Sequence, residues 1–495
     1  MRLLKKKKKN NQNMLSELNA QSSFRTVNPW NNQVLKEYNY ARGSDIESSL
    51  NRLNNEFNRW KKLSYQQRQV RLNFLNNYFI LNKDLIADSI RIEMGKPITQ
   101  ARSEVQKTID AIDFLCRVKL DNLFEQHIQT RFNATFEHKV IYKPKGIIMG
   151  IMPWNFPLWQ SIRMLLPTLI SGNSVLLKSS ELTPSVGDFI SQAFQYAELN
   201  DVFAHHIFHH SFTETLIADE RIQGISLTGS TQAGFKLSEL AGRYMKKSVF
   251  ELGGSDAYLV LADANLNLAA ECIAASRLQN TGQSCIACKR VFVHEQVYSD
   301  FIKKLCLEFD EYKFGDLSNS ETCLGPLSNV KFAEQEMDVF KVIEEHVEII
   351  YLREPYSELK QFKDAHLSGF APVRILRVKT DAPIEFYSFL NQTEFFSPTL
   401  IVMTYKDLDN CLKEINASHF GLGAAIFTHE TRKALEIAQE IHTGMIAIND
   451  YIRSDYELPF GGVKKSGHGR ELGLTGFVEF CDLQLIATAL KQDHL

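Results

Sequence analysis

Two groups in this 495-residue chain have the types needed for one covalent cycle: Cys285, within QNTGQSCIACKR at 279 to 290, and Glu251, which leads into Gly253 and Gly254. An accessible thiolate adds to a carbonyl carbon, and the acyl group it then carries needs a base to deliver water. On this reading Cys285 attacks and Glu251 releases. The glycines after Glu251 leave room for a ligand or a second backbone. Cys288 completes a C-x-x-C pair with Cys285, which leaves a redox partnership open. No second pair or His-x-x-x-His accompanies it, so no metal is expected. A cysteine hydrolase using Cys285 and His294 is a further alternative, though no third orienting group is evident.

Such groups must be held at converging chain ends. From about residue 140, short apolar runs at 146–151, 174–177, 225–228 and 258–261 alternate with helix-like stretches at 161–171, 183–198 and 231–241. The alternation predicts a parallel sheet covered by helices. In open sheets of this kind ligands gather beyond the carboxyl ends of the strands, where N–H groups and helix starts converge. MPWNFP (152–157), LLKSSE (176–181), LTGSTQAG (227–234) and ELGG (251–254) fall at those places. Upstream, Ser44 and Glu47 read as a capping box opening an amphipathic helix over 44–62, with Ile46, Leu50, Leu53, Phe57 and Trp60 on its apolar face. A second helix is expected from Gln66 to Met94, stopped by Gly95 and Pro97.

The length implies two or more lobes. Hydrophobic residues are 44% and charged residues 23%, ordinary globular usage, and 56 Lys and Arg balance 58 Asp and Glu. No global field favours nucleic acid or a membrane surface, which leaves a small molecule as the expected partner. Eight scattered cysteines suit a reducing, cytoplasmic setting. No apolar run reaches the roughly 18–20 residues of a spanning helix. Five consecutive lysines at 5–9 read as part of a solvated, disordered tail over 1–23.

Taken together, these segments resemble the aldehyde dehydrogenase superfamily from about Phe24 to Leu490. EMGKPITQARSEVQK (93–107) and PFGGVKKSGHGRELG (459–473) look most like a bacterial branch of succinate-semialdehyde dehydrogenases. The resemblance implies an α/β fold with a Rossmann-like dinucleotide-binding domain (24–118 and 139–250) and an α/β catalytic domain (251–451). It also implies a small bridging or oligomerisation β element (119–138 and 473–495) and a substrate-site return segment (452–472). It makes Cys285 the nucleophile, Asn155 an oxyanion donor and Glu251 the base. For the cofactor, NAD with NADP possible, it points to Trp154, Lys178, Glu181, Gly229, Ser230, Glu394 and Phe396. The carboxylate of Glu181 favours NAD, because it accepts from ribose hydroxyls and repels a 2′-phosphate. Arg163 and Ser454 are implied as binders of a substrate carboxylate.

The sequence also departs from the family. Ser397 stands where a glycine usually precedes the proline, Gln279 replaces a second arginine of some relatives, and HHIFHHSFTET (205–215) replaces a glycine-bearing stretch. The histidines there are read as a solvated or packed loop. The expected protein is a cytoplasmic homodimer or homotetramer oxidising an aldehyde, succinate semialdehyde by resemblance, to the acid. The alternatives are a catalytically degenerate NAD-binding scaffold and a dehydrogenase for an uncharged aldehyde.

Overall fold

The computed structural model describes residues 23–128 and 136–489. The expected basic tail lies outside the described residues except for Ser23, which opens a strand, Ser23–Asn28.

Five parallel strands form the sheet that positions the first half of the site. Their spatial order is Lys247–Glu251, Ile222–Thr228, Ile147–Ile151, Ser174–Lys178 and Phe203–His205, with Gly467–His468 antiparallel on the outer edge. The strands are apolar on both faces because helices cover both. Val175 and Leu177 pack with Leu165 and Leu169 of helix Pro157–Ile170, while Leu176 turns to Leu50 and Leu53 of helix Gly43–Trp60. Ile147–Ile151 comes first in the chain yet lies between its second and fourth strands. The connections therefore leave it in opposite directions, and a crevice opens beyond its carboxyl end.

A second sheet has the order Val347–Arg353, Val373–Val378, Thr399–Tyr405, Cys288–His294, Asp256–Val260, Gly423–Phe427 and Met445–Ile448. All neighbours are parallel except the first pair. A three-stranded antiparallel sheet joins Glu125–Ile128, Phe136–Pro144 and Cys481–Ala489.

Two helix boundaries differ from the sequence reading. The first helix starts at Gly43 after Arg42, whose guanidinium pairs with Asp45, so Ser44 is already inside and caps nothing. The expected helix over 66–94 is two helices, Tyr65–Leu81 and Lys83–Met94, parted at Asn82. Its real capping box is Ser64 with Gln67. Gly95 ends the second helix in the left-handed region (φ 77°), as a C-terminal glycine does.

Candidate active site

Strand Lys247–Glu251 ends on Glu251, and the chain crosses to the second sheet through Leu252–Ser255. The crossing is close. A Cβ on Gly253 would lie 2.3 Å from Glu394 Oε2, and one on Gly254 would lie 2.5 Å from the Cys285 carbonyl oxygen. These glycines bring the base-bearing strand against the nucleophile loop.

That loop is held in an unfavourable conformation. Asn280, Thr281 and Gly282 all have positive φ, 54°, 54° and 77°, and a β-branched threonine there costs roughly 1–3 kcal/mol. The surroundings over-determine it. Asn280 N–H donates to Gln100 Oε1 at 2.7 Å, Thr281 Oγ1 accepts from Gly325 N–H at 2.9 Å, and the Gly282 carbonyl accepts from Arg277 at 2.6 Å. Lys289, fully buried, donates to the carbonyls of Ser284 and Cys285 and lies 3.8 Å from Glu394. Cys285 follows this turn with its side chain part-exposed, whereas Cys288 is buried on the next strand.

Asn155 lies in the crevice of the first sheet. Its carbonyl accepts from Lys96 Nζ at 2.8 Å and Asn280 Nδ2 at 2.9 Å, and its own Nδ2 donates to the Gln283 carbonyl at 3.1 Å. Lys96 in turn meets Glu104 Oε2 at 2.5 Å, and Glu104 Oε1 accepts the Leu158 and Trp159 N–H groups at 3.0 and 3.1 Å. Glu104 thus caps helix Pro157–Ile170 from outside it, while Lys96 fixes the peptide just before. Sequence reading did not single out Lys96, Gln100, Glu104 or Lys289. The signal was present: 96, 100 and 104 recur every four residues through the start of helix Ile98–Leu115, a polar stripe on an otherwise apolar face.

Two cavities meet at Cys285. One, of about 600 Å³, is lined by Trp154, Asn155, Gly229, Ser230, Glu394 and Phe396 as well as Cys285. The other, of about 230 Å³, runs between Cys285, Trp159, Arg163, Gln279, Ser454 and Phe460. Phe396 and Phe332 pack on Trp154, edge-on and stacked respectively. Ser230 caps helix Thr231–Arg243 through Ala233 N–H, so that helix opens toward the larger cleft.

Lys178 and Glu181 pair at 2.9 Å at the end of the neighbouring strand, apart from the lining of that cleft. Of the sequence-predicted residues, Glu251 lines neither cavity. It is buried, and neither carboxylate oxygen has a hydrogen-bond partner among the described residues. Arg163 is buried in an ion pair with Glu471, with its Nη1 3.5 Å from Ser454 Oγ. His294 packs on Tyr405 at the far end of strand Cys288–His294, which gives Cys285 no imidazole from that side. Among the described residues no cluster of His, Cys, Asp or Glu could hold a metal. Of the histidine-rich stretch, His205 and His206 hydrogen-bond Ser179 and Ser49 at 2.7 and 2.8 Å, and Phe208 is in the core. That segment is packed.

The electrostatics follow from burial. Loss of solvent pushes the Cys285 thiol up to about 12, against the opposing pull of Lys289 and Arg163. Burial, then the neighbouring Glu471 charge, hold Glu251 well above the usual carboxylate range despite Arg163 and Arg470. Glu394 is raised by burial, with Lys289 opposing.

A doubly wound sheet whose crevice opens onto a cysteine just before a strand of a second sheet defines an α/β protein with its nucleophile at the seam of the two sheets. The chain belongs to the aldehyde dehydrogenase family, whose model matches residues 17–486. It is similar to the succinate-semialdehyde dehydrogenase [NADP(+)] of Deinococcus radiodurans, 32% identical over 94% of each chain. It is also similar to the succinate semialdehyde dehydrogenase [NAD(P)+] Sad of Escherichia coli K12, 33% identical over 93% of this chain and 97% of that one. Among solved structures, the succinic semialdehyde dehydrogenase of Streptococcus pyogenes in complex with NADP+ superposes with a TM-score of 0.86 at 29% identity, covering 94% of this chain and 99% of that one.

Proposed function

We propose that this chain oxidises succinate semialdehyde to succinate with NAD(P). The observation that carries the reading is that Cys285 lines both cavities, a dinucleotide-sized cleft on one side and a smaller pocket on the other. The larger cleft fits the cofactor by its donor set. A helix start at Gly229 and Ser230 suits a pyrophosphate, Trp154 and Phe396 suit a ring, and Glu394 suits ribose hydroxyls. Lys178 and Glu181 stand at the end of the adjacent strand, where the adenosine ribose belongs. Their pairing offsets part of the carboxylate's repulsion toward a 2′-phosphate, which supports use of either dinucleotide. When bound, the nicotinamide supplies the hydride acceptor.

The remaining steps belong to the chain. The Cys285 thiolate adds to the aldehyde carbon. Asn155 spends one amide N–H on the Gln283 carbonyl and keeps the other for the substrate oxygen, joined by the Cys285 backbone N–H. A donor aimed at developing charge contributes on the order of 3 kcal/mol. Once hydride has left, Glu251 takes a proton from water, the water oxygen attacks the thioester, and the acid departs as the Cys285 sulfur is freed. Arg163 and Ser454 line the smaller cavity and are assigned to the substrate's carboxylate.

We also assign the five-stranded crevice lobe to dinucleotide binding and the seven-stranded lobe to catalysis. The three-stranded sheet, with Leu483 and Leu485 about 60% exposed, is assigned to homodimer or homotetramer assembly. No described helix is long and apolar enough to cross a membrane; the cytoplasmic location is assigned from the eight free cysteines. The test is a panel of aldehydes with NAD and NADP, read by absorbance of the reduced dinucleotide, with Cys285→Ala as control. Succinate semialdehyde is expected to give the highest kcat/KM, and the variant none. Failure to reduce either dinucleotide with any aldehyde would overturn the reading.

A further inference from the structure

The smaller cavity carries a lysine for which the cycle above has no use. Lys107 lies on helix Ile98–Leu115, within the motif at 93–107, and lines the same tunnel as Cys285. Its Nζ donates to the Ser454 carbonyl and stands 4.4 Å from the Trp159 ring centroid. An ammonium has three N–H bonds and accepts nothing. Among the described residues no carboxylate lies within ion-pair distance of it; Glu104 pairs with Lys96, and Asp455 acts from farther off.

The other cations near the tunnel are balanced. Arg163 is paired with Glu471, and Arg453, half-exposed, meets Asp450 at 2.5 Å. Lys96, farther along the same stripe, is paired with Glu104. Gln279, also on the tunnel wall, brings an amide and no charge. An incoming carboxylate therefore meets an arginine already matched by Glu471 and an ammonium with no carboxylate in direct contact. In a dry wall that difference decides where the anion rests, because Coulomb attraction there is several times stronger than in water.

We propose that Lys107 is the specificity-determining residue of this site, supplying the counter-charge that selects an aldehyde bearing a carboxylate at its far end. The inference rests on the reading of the substrate as a short aldehyde acid. Ser454 serves both parts of it: its carbonyl holds Lys107, and its Oγ, which accepts from Trp159 Nε1 at 3.1 Å, stands beside the same spot. Burial and the Arg163 charge pull the Lys107 ammonium down to about 8, with Asp455 and Glu104 opposing. Below that value the cation is present; as pH rises through it the charge is lost.

The experiment measures kcat and KM of the full chain with succinate semialdehyde and with butanal, an uncharged aldehyde of the same carbon number. Lys107→Met is expected to lower the ratio of kcat/KM for the acid over that for butanal roughly 10- to 100-fold, through KM, the range for a lost hydrogen bond to a charged group. Lys107→Arg is expected to recover most of the ratio. In the wild type, KM for succinate semialdehyde should climb between pH 7.5 and about 9.5 while that for butanal stays level. A ratio unchanged in the Met variant, or equal losses on both aldehydes, overturns the proposal. Should that variant not fold, a wild-type KM for the acid that stays level with pH overturns it instead. A wild type with no preference for the acid overturns the substrate reading itself. A preference that survives Lys107→Met overturns only the role of the lysine.

Discussion

Replacing Lys96 with methionine separates the placement of Asn155 from the chemistry around it. The Lys96 side chain is fully enclosed, with Nζ 2.5 Å from Glu104, 2.8 Å from the Asn155 carbonyl and 4.0 Å from the Phe156 ring centroid. Methionine keeps most of the stem volume and removes the charge. Glu104 is then a buried carboxylate without its counter-ion. Breaking such a pair costs about 3–5 kcal/mol. Two N–H groups at the start of helix Pro157–Ile170 reach Glu104 Oε1 with or without the lysine, so they offset none of that loss. It corresponds to roughly 6–20 °C in Tm for a lobe of some 200 residues.

The Asn155 carbonyl meanwhile keeps one of its two donors, Asn280 Nδ2. A partly misaligned oxyanion donor should lower kcat roughly 10- to 100-fold, short of the full loss of the donor. The double variant Lys96→Met with Glu104→Gln removes both charges and leaves an amide oxygen to accept the two N–H groups. Tm should then return to within about 5 °C of wild type, while kcat stays low because the Asn155 carbonyl still lacks its ammonium. The assays are calorimetric melting and steady-state rate at saturating aldehyde and dinucleotide. A single-variant loss below 1 °C, or a kcat that recovers together with Tm, refutes the reasoning.

Two further outcomes test the buried acids. Glu251→Gln should leave the first-turnover burst of reduced dinucleotide intact and slow the steady state by about 10²- to 10⁴-fold. The wild-type steady rate should rise with pH, since the base form of a carboxyl raised by burial appears only above its ordinary range; losses of equal size in burst and steady state would remove Glu251 from hydrolysis. Alkylation of Cys285 by iodoacetamide, followed on its own peptide by mass spectrometry, should quicken about tenfold per pH unit from 7 to 10, because only the thiolate reacts and burial holds the thiol near 12. A plateau near pH 8 would show an activated thiolate that the resting site does not provide.

The strands that carry chemistry were legible because burial on both faces writes continuous apolar runs. Each expected run at 146–151, 174–177, 225–228 and 258–261 corresponds to an observed strand within a few residues. The helix starts were less so. Ser44 and Glu47 have capping spacing, but the Arg42–Asp45 pair lies two residues earlier, and Asn82 parts two helices without the glycine or proline that would announce a break. Charge partners were not legible at all. Nothing local links Arg163 to Glu471 or Lys96 to the Asn155 carbonyl, since these contacts exist only after the sheet has brought distant loops together. The histidines at 205 and 206 read as a solvated or packed loop in sequence, and only the fold shows the serine that meets each.

The two reactive groups are coupled in a way that fixes the order of the proposed cycle. Burial favours the neutral form of both Cys285 and Glu251, and the Glu251 charge adds to the push on the thiol. Two anions in one dry site repel, so ionisation of either disfavours ionisation of the other. The thiolate is therefore most accessible while Glu251 is protonated. Glu251 ionises most readily once the sulfur is acylated and neutral. A carboxylate with no hydrogen-bond partner on either oxygen is suited to this alternation, because burial and Glu471 outweigh the pull of Arg163 and Arg470 and no hydrogen bond fixes its charged form. The site then carries one anion at a time, first for attack and then for release.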